Sequence, residues 1–448
     1  MDAISADIKG MPSLEDLASQ ALDLAKRQGA TAAEVNSGQG KGLSVTVRRG
    51  EVETVEHHRD KSLSVTVFFG ARSGSASTSD FRPEALSEAV RAACAIARHT
   101  ALDPFNGLAD PAHLAKEIPD LDLYHPWTLT VEDAIGLAQR CESAAFATDP
   151  RIRNSEGATV TTHDGVDVYA TSAGFMGTVR ASRHGVSCAV LGEDDEGHMQ
   201  RDYDYVSVRD ARDMPDVEVI GRLAAHRAAR RLGARQIKTC QVPVLYEAPV
   251  ARSLLSHLVS AVSGPSLYRR SSFLVDSVDT KLFPSTVHLY EEPHRKKGMG
   301  SAPFDGEGVE TKYRDLVADG VLRHYCLDSY SARKLKLVTT GNAGGVHNLT
   351  IKPGTEDLKG LLRQMGRGLF VTELIGFGIN SVTGDYSRGA AGFWVENGEL
   401  AYPVEEITIA SNLRDMYQGL VGIGNDVDLR HNICTGSLLI DRMTVAGS

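Results

Sequence analysis

The amino-acid sequence predicts an α+β fold in two parts. An N-terminal α/β domain, residues 1–236, is a β-meander sheet with covering helices; a C-terminal domain, residues 237–448, is mostly β and barrel- or sandwich-like. Three observations carry this expectation. The run Leu43-Ser-Val-Thr-Val47 recurs as Leu63-Ser-Val-Thr-Val67, each with alternating β-branched residues. Alanine-rich stretches with apolar residues at helical spacing flank these strands. Near Ile237 the character changes to β-rich, glycine-rich segments with many turn signals and one short helix.

Taken in order, Leu14, Leu17, Ala21, Leu22 and Ala25 mark one face of a helix from Ser13 to Gln28, which Gly29 stops. The Arg49-Gly50-Glu51 turn leads into Val52 to Val55, the start of a middle strand between the two repeats. A turn at Gly70 to Gly74 precedes a short strand to Thr78. A helix from Pro83 to His99 then covers the sheet with Leu86, Val90 and Ile96 on one stripe. Asp103 to Trp127 is irregular. A capped helix from Val131 to Ala147 leads to strands at Ala158 to Thr162, Val166 to Ser172 and Gly177 to Leu191. Val217 to Leu232 reads as a helix whose arginines, Arg222, Arg227, Arg230 and Arg231, form a solvated face at i,i+4 spacing. The domain boundary falls at about 235–242.

Composition narrows the function. The chain of 448 residues, with 42% hydrophobic and 24% charged side chains, can bury a core without staples. A net charge of −10 disfavours a general nucleic-acid surface. The first residues lack the apolar core of a signal peptide, and no run is long and apolar enough to span a membrane. Six dispersed cysteines without a CxxC pair speak against a disulfide framework and a cysteine zinc knuckle. A cytoplasmic protein with no membrane or nucleic-acid partner is the expectation.

Most catalytic motifs are missing. No His-Glu dipeptide occurs among the 15 histidines, so a helical HExxH zinc site is excluded. His57 and His58 are adjacent and would point to opposite faces of a strand. Ser331 and Lys334 have Ser-x-x-Lys spacing, but Lys334 and Lys336 alternate as on a solvated strand. Two segments are informative. In Ala251 to Gly264, Leu254, Leu255, Leu258, Val259 and Val262 share one helical arc, opposite Ser253, Ser256, His257 and Ser260. Small hydroxyls and one histidine suit a groove floor or a protein contact, or a partly buried helix with satisfied serines. In Gly376 to Gly398, Asn380, Thr383, Asp385, Ser387 and Arg388 sit on a glycine-rich loop before a Phe393-Trp394-Val395 hairpin strand. That pattern is either a binding loop or a structural turn network.

These segments, with Gly50-Glu51-Val52-Glu53, Phe69 to Gly74, Ser271 to Leu274, Thr339 to Gly345 and the tail from Asn432 to Gly447, resemble the TldD/PmbA peptidase family over nearly the whole chain. TTGNAGG and TGDYSRGAAGFWVENG are its most specific stretches here. The similarity is to the PmbA (TldE) branch. The resemblance implies a cytoplasmic metallopeptidase complex that trims extended peptides, including a microcin-type leader and an antitoxin; "modulator of DNA gyrase" is an older label for the family. TldD-type subunits carry His-Glu-x-x-x-His on a helix, completed by a later cysteine, and TldE-type subunits lack it. On this chain the first His position falls on Ser256, the Glu on His257 and the last His on Ala261. No catalytic residue, metal ligand or cofactor is therefore expected here; zinc belongs to the TldD-type partner. Asn380, Thr383, Asp385 and Arg388 are the expected peptide-binding residues, and a homodimer is an option when the partner is absent. Two other readings stay open: an active peptidase with an unrecognised site, such as Ser256/His257, and a non-enzymatic regulator of a toxin–antitoxin or gyrase system.

Overall fold

A computed structural model describes residues 13–447, so the expectation that the first residues form no signal peptide lies outside the described residues. The first part contains α1 (Leu14–Arg27), β1 (Ala32–Arg48), β2 (Glu51–Phe69), β3 (Arg72–Thr78), α2 (Pro83–His99), α3 (Val131–Thr148), β4 (Ile152–Thr171), β5 (Met176–Glu193), β6 (Met199–Val208) and α4 (Val217–Ala229). The strands form one antiparallel sheet in the order β3-β2-β1-β4-β5-β6. Ser13 caps α1 by accepting from Asp16 N, with the reciprocal bond completing a capping box.

The middle strand expected between the two repeats does not exist as a separate element. Val52 to Val67 all lie in β2, which forms a single long hairpin with β1. The repeats do not pair with each other: Val45 opposes Val55, and Val65 opposes Val35. Instead each repeat serves its own core. Leu63, Val65 and Val67 pack under α1 and α2, whereas Leu43, Val45 and Val47 pack under α3 and α4. Val35 and Val45 are an even number of residues apart on β1, so both cores lie on the same face of the sheet. One face, covered twice along its length, required the same pattern twice. The turn of the hairpin is pinned from below: buried Glu142 of α3 accepts from Arg49 N at 2.9 Å and Gly50 N at 2.8 Å.

Among the described residues, the opposite face carries no helix from this half. On it Thr159, Thr161, Arg183, Gly185 and Tyr205 line a groove of about 390 Å³.

The α4 arginines depart from the expected solvated face. Arg222 does pair with Glu218 at i,i+4 on the surface. Arg227, Arg230 and Arg231 turn inward, where Asp202, Glu247 and Glu373 receive them. Glu247 and Glu373 belong to the second half of the chain, and helical periodicity cannot register a neighbouring domain.

The second part contains β7 (Cys240–Tyr246), α5 (Ala248–Ala261), α6 (Gly264–Tyr268), β8 (Leu289–Glu291), β9 (Arg314–Ala318), β10 (Val321–Leu322), α7 (Ser329–Leu335), β11 (Leu349–Ile351), α8 (Leu358–Met365), β12 (Gly368–Ile375), β13 (Asp385–Glu396), β14 (Glu399–Asn412), α9 (Leu413–Gln418), β15 (Leu420–Ile423), β16 (Ile433–Cys434) and β17 (Leu438–Ala446). Strands β14, β13, β12, β7 and β17 pair in that order, and β14 also pairs with β17, which closes a barrel. A second sheet runs β10-β9-β8-β11-β16. The expected barrel-like architecture is present, but five helices accompany it rather than one; most are too short for a periodicity to show. One of them, α7, holds Ser331 and Lys334 in place of the expected strand. Ser331 Oγ donates to the capping Asp328, and Lys334 lies over the rings of Phe105 and Tyr330.

Leu254, Leu255 and Leu258 of α5 share the largest core with Tyr246, Val371, Tyr386, Ile409 and Met443. On the other side of the same strands, Leu245, Phe370 and Phe393 meet Leu361, Leu362 and Met365 of α8. Among the described residues, no helix is long and apolar enough to cross a membrane.

Candidate functional site

The site is organised by α5, which begins immediately after β7. Pro249 in its first turn is preorganised for a helix start. Glu247 at the N-cap makes no capping bond, because its carboxylate accepts from Arg227 Nη1 at 3.0 Å and Nη2 at 2.9 Å. The Tyr417 hydroxyl donates to Leu254 O at 3.1 Å and anchors the buried side of the helix. Strand β16, with buried Cys434, packs beside it.

The α5 positions expected to carry the motif hold no metal-ligating set. Ser256 Oγ donates to Arg252 O at 3.1 Å, Ala261 presents a buried methyl, and His257 is the one imidazole. The His257 ring stands edge-on to Tyr386 with centroids 6.1 Å apart, and its Nε2 is buried without a hydrogen-bond partner. Burial, and then the neighbouring Arg388 guanidinium, push the His257 pKa down to about 4. A cation beside the imidazole opposes Zn²⁺ as it opposes a proton, so these residues do not fit the metal. Burial raises the pKa of Cys434 and outweighs Arg295, whose Nη1 donates to its sulfur at 3.6 Å and works the other way; a cation already holds that sulfur.

The low pKa has a stability consequence. The folded-state value of His257 lies below its ordinary value of 6.5, so the unfolded chain takes up the proton first as pH falls. The contribution is complete above about pH 6.5 and lost between there and about pH 4. His257→Gln is therefore expected to lose less stability than the parent between pH 7 and 4.5, by about 1–2 kcal/mol after allowing for partial exposure. Urea midpoints at the two pH values measure it; parallel declines would refute it.

The four expected peptide-binding residues separate into two groups. Asn380 Oδ1 accepts from Val382 N at 3.0 Å and Thr383 N at 3.3 Å. Thr383 Oγ1 donates to Asp385 Oδ2 at 2.6 Å, and Asn412 Nδ2 donates to Asp385 Oδ1 at 3.2 Å. The Thr383 and then the Asn412 bond hold the Asp385 carboxyl below its usual range. These three residues thus bind the loop to itself and to β14. Arg388 lies apart, beside Tyr386 and His257. Asp385 and Arg388 are also not on a loop: both are in β13, opposite Asn412 and Ile409. The glycines that suggested a loop permit close strand packing; a Cβ on Gly392 would stand 1.9 Å from Phe370 O. Phe377, fully exposed on the preceding loop, escaped the sequence reading.

A second set of residues joins the open sheet face to the α5 region. Tyr205 of β6 and His431 Nε2 approach to 2.5 Å, and Arg430 donates to Tyr205 O at 2.8 Å with its guanidinium 4.2 Å from the ring centre. Arg252 of α5 adds positive charge beside Tyr205 and His431, and its Nε is buried without a partner. Nothing local could have linked these residues, since Tyr205 and His431 are 226 positions apart.

Comparison with known proteins gives the class. Residues 33–97, 124–232 and 239–447 match, respectively, domain 1, the central domain and the C-terminal domain of the PmbA/TldA metallopeptidases. The chain belongs to that family. Within it the chain falls in the PmbA/TldE branch: it is 46% identical to metalloprotease PmbA of Escherichia coli O157:H7 over 434 residues, 97% of this chain and 96% of that one. A PmbA homologue of Haemophilus influenzae is 44% identical over 436 residues, with the same coverage of 97% and 96%. Among solved structures, a protein described as a modulator of DNA gyrase from Bacteroides thetaiotaomicron superposes with a TM-score of 0.92 at 29% identity, covering 97% of this chain and 99% of its own. TldE from Thermococcus kodakarensis shares the fold, with a TM-score of 0.82 at 18% identity over 96% of this chain and all of its own.

Proposed function

We propose that this chain is the TldE-type subunit of a two-chain cytoplasmic metallopeptidase. In this role it shapes the cleft and holds an extended peptide, while a TldD-type subunit supplies zinc and the general base. Extended peptides of the microcin-leader or antitoxin kind are the substrates this reading implies. The observation that carries it is the chemistry of α5: a family helix retained with its apolar face intact, whose ligand positions hold a committed serine hydroxyl, a histidine beside a guanidinium, and a methyl. Such a surface can position a peptide but has no means to activate water on a metal.

The self-contained peptidase reading is weaker on the same geometry. Ser256 Oγ is bonded to a backbone carbonyl, and His257 is its sequence neighbour on a helix, about 100° around the axis. The experiment is to assay hydrolysis of an unstructured peptide by this chain, metal-stripped and alone, then mixed with a zinc-loaded TldD-type subunit. Activity is expected in the mixture alone and exceeding that of the TldD-type subunit by itself. Full activity of the isolated, metal-stripped chain would sink the proposal.

A further inference from the structure

We infer that the space bounded by His257, Tyr386 and Arg388 is a carboxylate-binding site, which receives an acidic group of the bound peptide. The inference rests on the peptide-holding role proposed above and names what is held. Tyr386 and Arg388 are two apart on β13 and project to the same side, towards α5. Two polar atoms there, Arg388 Nε and His257 Nε2, are buried and lack a hydrogen-bond partner, and the buried Tyr386 hydroxyl between them has only Tyr246 and Arg388 beside it. Leaving such groups dry costs on the order of 1–3 kcal/mol each, so two unmet beside a third polar group point to a bound species.

The charge decides which species. No carboxylate among the described residues forms an ion pair with Arg388, and nearby Asp385 is committed to Thr383 and Asn412. A metal cation is repelled by the guanidinium. A neutral carbonyl would accept hydrogen bonds but leave the partly buried positive charge of Arg388 uncompensated. A carboxylate accepts several bonds at once and neutralises the arginine, and the guanidinium N–H groups can bind it as a pair. Neutral His257 can donate through Nε2 to the same anion. Where catalytic relatives would place a metal to attract a carbonyl, this chain places an arginine that attracts an acid.

The test measures binding rather than turnover. Three peptides are titrated calorimetrically into the full chain: acetyl-hexa-alanine as the free acid, the same peptide amidated, and an amidated version with a central glutamate. At least one of the two acidic peptides is expected to bind tenfold or more tightly than the neutral amide. Which one does so separates a terminal from a side-chain carboxylate. Arg388→Gln should bring the acidic peptide down to the affinity of the amide, and Arg388→Lys should keep only part of the preference. Tyr386→Phe, which removes one donor and leaves the charge, should reduce the preference by a smaller factor, so the inference stays testable if Arg388→Gln fails to fold. Equal affinities in the parent, or a preference that survives Arg388→Gln, would overturn it. A TldD-type mixture that hydrolyses peptide without any acid preference sinks this inference alone; an acid preference without hydrolysis in the mixture sinks only the two-chain proposal.

Discussion

Arg227→Met is expected to destabilise the protein by about 3–5 kcal/mol, the range for breaking a buried ion pair from one side. Arg227 sits on α4 in the first domain, and its Nη atoms bind Glu247 at the start of α5 in the second at 3.0 and 2.9 Å. Its Nε reaches Asp202 of β6 at 3.2 Å. Asp202 and Glu247 are 6% and 12% exposed, so methionine would leave two carboxylates with little water to replace the guanidinium. Burial works against the Arg227 charge, but the adjacent carboxylates outweigh it and raise its pKa. Adding Glu247→Gln to Arg227→Met should recover part of the loss, because one uncompensated charge is removed. Chemical denaturation of the two variants reads the cycle; a loss under 1 kcal/mol for Arg227→Met would refute the account. The pair also holds the start of α5, so, if the chain holds peptide as proposed, Arg227→Met should weaken that binding even at temperatures where the variant remains folded.

The second large effect is expected at Gly221. This residue lies on α4 where it crosses α3, and a Cβ placed there would stand 1.9 Å from Cys141 O and 2.9 Å from Cys141 C. The obstacle is backbone, so no rotamer change relieves it and the helices must separate. Ala138, Cys141 and Ala145 of α3 and Ala224, Ala225 and Ala228 of α4 all belong to the core beneath, and separation would open that core. Gly221→Ala should therefore cost about 3 kcal/mol despite the higher helix propensity of alanine, which by itself would stabilise by about 1 kcal/mol. A melting temperature equal to or above that of the parent would show that the two helices can yield.

Much of the first domain was legible because each helix and strand carries its own period. Leu14, Leu17 and Ala21 mark α1, and Ser13 marks its cap. Two identical strand motifs were visible, but their relation was not. Whether Leu43 to Val47 pairs with Leu63 to Val67 depends on hairpin register, which follows from a turn at Arg49-Gly50 and a buried Glu142 contributed from far along the chain. The same limit applied to α4. Its arginines have the spacing of a surface face, and three of them turn inward, Arg231 becoming buried, because residues 247 and 373 come to meet them.

By itself the sequence determined the α+β architecture and the family, and it showed that α5 carries no His-Glu pair. These are properties of local pattern and residue identity. Only the tertiary structure decided what surrounds the candidate residues. Asn380, Thr383 and Asp385 spend their hydrogen bonds on their own loop and on β14, while Arg388 joins His257 and Tyr386 across the space between β13 and α5. Spacing along a chain records which face of an element a residue shares. It does not record which other element arrives opposite, and both burial of a charge and its pairing depend on that arrival.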